Sequence, residues 1–158
     1  MDQIYTHPKR KTKVVFVQLG SPSEPTTKAL RKYLRKFLGD PRVIDINPWL
    51  WKIILNFFVL PFRPKKSAKL YARIWDGESF PLITNTRDFT NNVREELKKI
   101  DPDGHVEVNH AFLLSPPYVN EVYDSWENDL KKGIGATKLL VIPMFPQYSE
   151  STIASGID

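Results

Sequence analysis

Cysteine is absent from this chain of 158 residues, which excludes a disulfide framework, a thiolate-bound zinc and a Cys-ligated iron–sulfur cluster within it. Neither Gly-x-Gly-x-x-Gly nor the Gly-x-x-x-x-Gly-Lys loop occurs, so no phosphate-binding fingerprint supports a nucleotide enzyme. Histidine is scarce: His7, His105 and His110 are the 3 present, and their spacing makes no metal set. No Ser-His-acid arrangement or carboxylate pair stands out. Residues 1–12 lack the apolar core of a signal peptide and read as a flexible leader. The longest apolar stretch is too short for the roughly 20 residues that span a bilayer. A formal net charge of +5 comes from basic residues scattered along the chain without interleaved aromatics, which argues against nucleic acid. An anionic small molecule or a membrane surface suits the sign.

What is present is ordinary for one globular domain, with 41% hydrophobic and 26% charged residues. The organising stretch is Val14 to Pro22. Its nearly continuous apolar run predicts a central parallel strand covered on both faces. It stops at Gly20-Ser21-Pro22, and such a turn at a strand's carboxyl end either walls a ligand site or merely connects strand to helix. Leu30, Tyr33, Leu34, Phe37 and Leu38 then recur at helical spacing after a Thr cap, with Lys28, Arg31, Lys32, Arg35 and Lys36 opposite. That basic face is solvated or faces lipid.

Residues 48–61 carry ten bulky apolar side chains between Trp49 and Leu60, around one Lys and one Asn. A helix apolar all round is buried or laid against something apolar. The alternative to burial is an exposed lip that receives an apolar ligand or touches a membrane, and the basic residues Arg63, Lys65, Lys66, Lys69 and Arg73 that follow favour it. Further helices are predicted over 65–75, opened by Pro64, over 87–99 and over 118–132. Strands are predicted over 105–114 and 138–144. A hydroxyl-rich loop, Phe145 to Thr152, opens a last helix whose donors can hold a polar ligand group or serve as caps. The order predicts an α/β fold, a doubly wound, mostly parallel open sheet flanked by helices.

Several short motifs extend this reading. Gln18-Leu-Gly-Ser-Pro22 resembles the Asn-Leu-Gly-Thr-Pro opening of ferrochelatases, and Tyr33-Leu-Arg-Lys-Phe-Leu with Asp40-Pro-Arg-Val resembles the segment that follows it there. Leu60-Pro-Phe-Arg-Pro-Lys-Lys-Ser-Ala68, Tyr71, Ile74-Trp75, Pro146-Gln-Tyr-Ser149 and Ser151-Thr152 match in the same order. The resemblance covers residues 13–158 and is to the amino-terminal, Rossmann-like half of the family's chelatase fold. It implies insertion of Fe2+ into a porphyrin in heme biosynthesis, with residues 48–61 as a porphyrin-covering lip that meets the bilayer in membrane-associated members.

By motif match the resemblance also implies porphyrin-binding roles for Leu19, Gly20, Arg63, Phe145, Tyr148, Ser149 and Ser151. Leu19 would press on the macrocycle, Arg63 would pair with a propionate, and Phe145 would line the pocket. Glu150 stands where cluster-bearing relatives have Cys, so no iron–sulfur cluster is expected and Fe2+ is a substrate. The family's metal-handling His and its partner Glu are expected beyond Asp158. Two readings follow: the amino-terminal half of a ferrochelatase, inactive as an isolated fragment, or a non-catalytic tetrapyrrole-binding or membrane-apposed module. Either would be cytoplasmic, or peripheral to the membrane.

Overall fold

The computed structural model describes residues 11–44 and 46–145. A parallel sheet of three strands, β1 (Thr12–Gln18), β2 (Val106–Phe112) and β3 (Lys138–Pro143), has the order β2-β1-β3. The Val14 stretch is therefore the central strand, as its continuous apolar character requires. Val14 stands opposite Val108 on one side and Leu140 on the other. Alternate β1 residues go to opposite faces. Val14 and Phe16 pack with Val108 beneath Val93 and Leu97 of helix α4 (Pro81–Ile100), while Val15 and Val17 pack with Ala111 against Val119 and Val122 of α5 (Val119–Lys131). Helices on both faces of an open parallel sheet make the domain a doubly wound α/β, chelatase-like fold.

The strand begins at Thr12, inside the segment expected to be leader. Its amide donates to the His105 carbonyl at 2.7 Å, and the Lys11 carbonyl accepts from Thr137 at 2.9 Å, so the ladder on both sides draws the chain in. His105 precedes β2 instead of opening it, and its ring is held by the Asp101 carboxylate at 2.8 Å. Helix α4 starts six residues earlier than the periodicity of Phe89, Val93 and Leu97 predicts. Pro81 occupies the first helical position, where its missing N–H costs nothing. Thr86 and Thr90 are tolerated in its buried face because each hydroxyl donates back to the carbonyl four residues earlier at 2.7 Å.

The largest departure lies between residues 48 and 71. A helix opened by Pro64 is predicted over 65–75, apart from the Pro-bounded stretch 48–61, yet α2 (Pro48–Ile54), a π-helical segment (Leu55–Val59) and α3 (Leu60–Tyr71) form one unbroken helical run. Pro61 falls at the start of α3, just after the π-helical turn. Pro64 lies inside α3 and cannot bond the Leu60 carbonyl. That carbonyl accepts instead from Arg31 Nε at 3.2 Å, on α1 (Thr27–Leu38). One member of the basic face thus has a structural task that sequence periodicity does not reveal.

Candidate functional site

The loop after β1 is built by its neighbours. Gly20 has φ +92°, a conformation open to glycine, and a Cβ there would run into Ser115 Oγ and approach Phe112 Cβ to 3.1 Å. The Tyr33 hydroxyl, on α1, donates to the Gly20 carbonyl at 3.3 Å, and the Ser21 amide donates to Ser115 Oγ at 3.3 Å, both buried. Leu19 is tied on both sides: its amide donates to Gln18 Oε1 at 3.1 Å and its carbonyl accepts from Leu114 at 3.0 Å. Gln18 Nε2 donates in turn to the Met144 carbonyl at 3.0 Å, so the ends of all three strands are laced together. A side chain at position 19 therefore has a rigid base.

Two cavities open beside this loop. The smaller, of 210 Å³, has Leu19, Phe37, Leu113 and Leu114 as walls, with Lys36 and Asp40 at its rim. The larger, of 320 Å³, is lined by hydroxyls of Ser21, Ser23, Ser79 and Ser115 and by Lys32 and Lys36, and no carboxylate is among its lining residues. Trp75 and Tyr33 complete an aromatic wall, continued by Tyr71 and Phe80 through ring contacts at 5.4 and 4.7 Å. Burial, reinforced by the neighbouring Tyr71, pushes the Tyr33 phenol well above its ordinary 10.0, so it remains a proton donor.

The helical run from 48 to 71 has two unlike faces. Leu55 and Leu60 are buried with Tyr33, Leu34 and Leu38 of α1, and Trp51 Nε1 donates to the Leu38 carbonyl at 2.7 Å. On the other face Trp49, Phe57, Phe58 and Phe62 are exposed by 78, 70, 66 and 73%. One face of the run is therefore buried against α1 and the other is open to solvent. A third cavity, of 520 Å³, sits where the run meets the end of α1, between Ile44, Ile46, Trp51 and Leu55 with Arg35 and Lys52 alongside.

The residues expected at the site are distributed unevenly. Leu19 and Gly20 sit together at the end of β1, Leu19 half-buried and facing the small cavity. Phe145 is half-buried directly after Met144, whose amide donates to the Val17 carbonyl at 2.8 Å, and so lies at the same end of the sheet. Arg63 is exposed on α3, the helix that packs across α1. Tyr148, Ser149 and Ser151 lie outside the described residues. His105 is committed to Asp101 at the opposite, amino-terminal end of the sheet. His110 packs its ring 5.5 Å from Phe112, and burial followed by Arg94 and Arg87 lowers its basicity. Sequence reasoning missed Tyr33, Lys36 and Ser115 as site residues. The first two had been absorbed into helical periodicity and Ser115 into a strand-ending turn.

No group of three or more His, Asp or Glu among the described residues could hold a metal ion. No helix among them is long and apolar enough to cross a membrane.

A doubly wound α/β domain with an apolar, cation-rimmed cleft at the carboxyl ends of its strands belongs to the Rossmann-like class of folds, whose open sheets receive ligands at that end. Residues 11–158 match the family model described as Ferrochelatase, and the chain belongs to the ferrochelatase family. It is 42% identical over 145 residues to the ferrochelatase of Idiomarina loihiensis, covering 92% of this chain and 38% of that protein. It is 42% identical over 156 residues to the ferrochelatase of Herminiimonas arsenicoxydans, covering 98% of this chain and 40% of that protein. It is also 42% identical over 149 residues to the coproporphyrin III ferrochelatase of Enterococcus faecalis, covering 94% and 44%. The chain thus spans well under half the length of these curated relatives.

Proposed function

We propose that this chain supplies the porphyrin-receiving wall of a ferrochelatase, a lyase that inserts Fe2+ into a porphyrin in heme biosynthesis. The observation that carries this is the Leu19 platform: an apolar side chain on a rigidly hydrogen-bonded loop, facing a cavity walled by Phe37, Leu113 and Leu114. A flat apolar ring needs such a floor, and its carboxylate arms need cations nearby. Leu19, Gly20 and Phe145 form the floor in this reading, Arg63 binds a propionate, and Tyr148, Ser149 and Ser151 extend the wall. The exposed apolar face from Trp49 to Phe62 covers the macrocycle and contacts a membrane surface peripherally, in a cytoplasmic setting.

The chemistry of metal insertion requires a base within reach of the pyrrole protons. His105 faces Asp101 and the half-buried His110 packs beside Phe112 in β2, and neither lines the Leu19 cavity; in this reading the metal-handling His and Glu are assigned to residues outside this sequence, as the family resemblance implies. Fe2+ is a substrate here, and no resident cofactor is assigned. The reading is tested with the purified chain of 158 residues by porphyrin fluorescence titration together with a zinc-insertion assay. Porphyrin binding without insertion is expected. Insertion at rates near those of an intact relative would overturn the division of labour, and failure to bind any porphyrin would overturn the platform. Arg63→Ala should weaken binding of a free-acid porphyrin by about 1.5 to 3 kcal/mol and leave a neutral ester less affected.

A further inference from the structure

We infer that Lys36 reads a peripheral carboxylate of the macrocycle, so that the cleft discriminates porphyrins by the number of their acidic arms. The inference rests on the porphyrin reading and deepens it. Lys36 and Leu114 line both cavities at the carboxyl end of the sheet, and of the two Lys36 carries a charge. On one side it borders the apolar floor of Leu19, Leu113 and Leu114; on the other it borders a pocket whose lining holds Lys32 and serine hydroxyls but no Asp or Glu. A disc laid on the Leu19 floor would direct an arm at its edge over this cation and into that pocket.

The ammonium is held in place by a neighbouring ring. It lies 3.8 Å from the centroid of the Tyr118 ring, a cation–π contact that positions the charge and leaves its donors available. Partial desolvation lowers its basicity, Glu121 opposes that shift and Lys32 adds to it. Asp40, the acid on the rim of the smaller cavity, accepts from the Arg42 amide at 2.9 Å. A basic residue in the last turn of α1 also complements the helix C-terminus. That role suits Arg35 equally well, but it does not account for Lys36 standing between two cavities.

The test compares coproporphyrin, with four carboxylates, protoporphyrin, with two, and the tetramethyl ester of coproporphyrin. Dissociation constants are measured by fluorescence titration of the full chain and its Lys36→Gln and Lys36→Arg variants at low and high salt. Lys36→Gln should weaken coproporphyrin binding about fivefold, as for a part-exposed ion pair, and change ester binding less than twofold. The loss should shrink as salt rises, Lys36→Arg should restore most of the affinity, and protoporphyrin should lose less than coproporphyrin. Thermal melts of the variants identify any that fail to fold, and Lys36→Met then provides the same neutralisation with a good helix former. Equal losses for acid and ester, or no loss for either, overturn the assignment of Lys36 while leaving the porphyrin reading intact. A wild-type chain that binds none of the three overturns both.

Discussion

The loop from Gln18 to Ser21 and the outer face of the helical run at 48 to 71 are both expected to touch the same ligand, yet they are built in opposite ways. Around Leu19 the neighbouring backbone is paired, with Tyr33, Ser115 and Gln18 each holding one strand-end segment. Trp49, Phe57, Phe58 and Phe62 have their ring faces in solvent and are held only by the helix beneath them. The first region derives precision from packing. The second derives adhesive surface from a helix whose inner face alone is satisfied. A binding cleft that combines them has a stiff floor and a greasy cover, and substitutions should separate the two sharply.

The largest effect is expected at Gly20. Gly20→Ala places a methyl group at φ +92° against Ser115, and the two penalties together should destabilise the domain by about 3 kcal/mol, read from urea unfolding. A loss below 1 kcal/mol would show that the floor is softer than its hydrogen bonds suggest. Leu60→Ala, on the inner face of the helical run, should cost about 2 to 4 kcal/mol by leaving a cavity against α1. Phe57→Ala, on the outer face, should change stability by less than about 0.5 kcal/mol and lower affinity for porphyrin or vesicles instead. Comparable losses for the pair would erase the distinction between faces.

Tyr33→Phe tests the floor more gently. Removing a donor from the buried Gly20 carbonyl should cost about 1 kcal/mol and reveals itself best through pH. The folded phenol is raised above its ordinary 10.0, so the unfolded chain ionises first; the stability is fully present below pH 10 and is lost as pH rises beyond it toward the folded value. The wild-type curve should fall above that point more steeply than the variant's, by up to about 1.4 kcal/mol per pH unit. Parallel curves would show that the Tyr33 phenol does not hold the Gly20 carbonyl. The smallest effect belongs to the far end of the sheet. Asp101 is held below its ordinary 3.8 by the His105 hydrogen bond first and by the Val106 amide. Its contribution is present above that pH and is lost as pH falls through the lowered value. Asp101→Asn should flatten the acid limb slightly and leave the cleft's ligand affinity unchanged.

The quenching of tryptophan fluorescence sharpens the same comparison without stability measurements. Trp49 is open to solvent, whereas the Trp51 indole donates to the Leu38 carbonyl and packs against α1. In variants that keep one of them at a time, a polar quencher should reach the first and be largely excluded from the second. Porphyrin or lipid should protect the first alone.

Sequence by itself determined the parallel, doubly wound sheet, because a strand covered on both faces must be apolar at successive positions, and only Val14 to Val17 has that character so early in the chain. It also determined the turn at Gly20, the aromatic density of the 48–61 stretch and, through short motifs in order, the family. Tertiary structure decided the rest. Whether Pro64 ends a helix depends on whether Leu60's carbonyl finds another donor, and Arg31, 29 positions before Leu60, supplies it. Which aromatics of the run are buried depends on the one face that meets α1. Tyr33, Lys36 and Ser115 come to the candidate cleft only when α1 and the loop after β2 are folded against the end of β1. Local patterns report how a segment relates to water, whereas a site is made by segments distant along the chain, and its geometry exists only once the non-local contacts have formed.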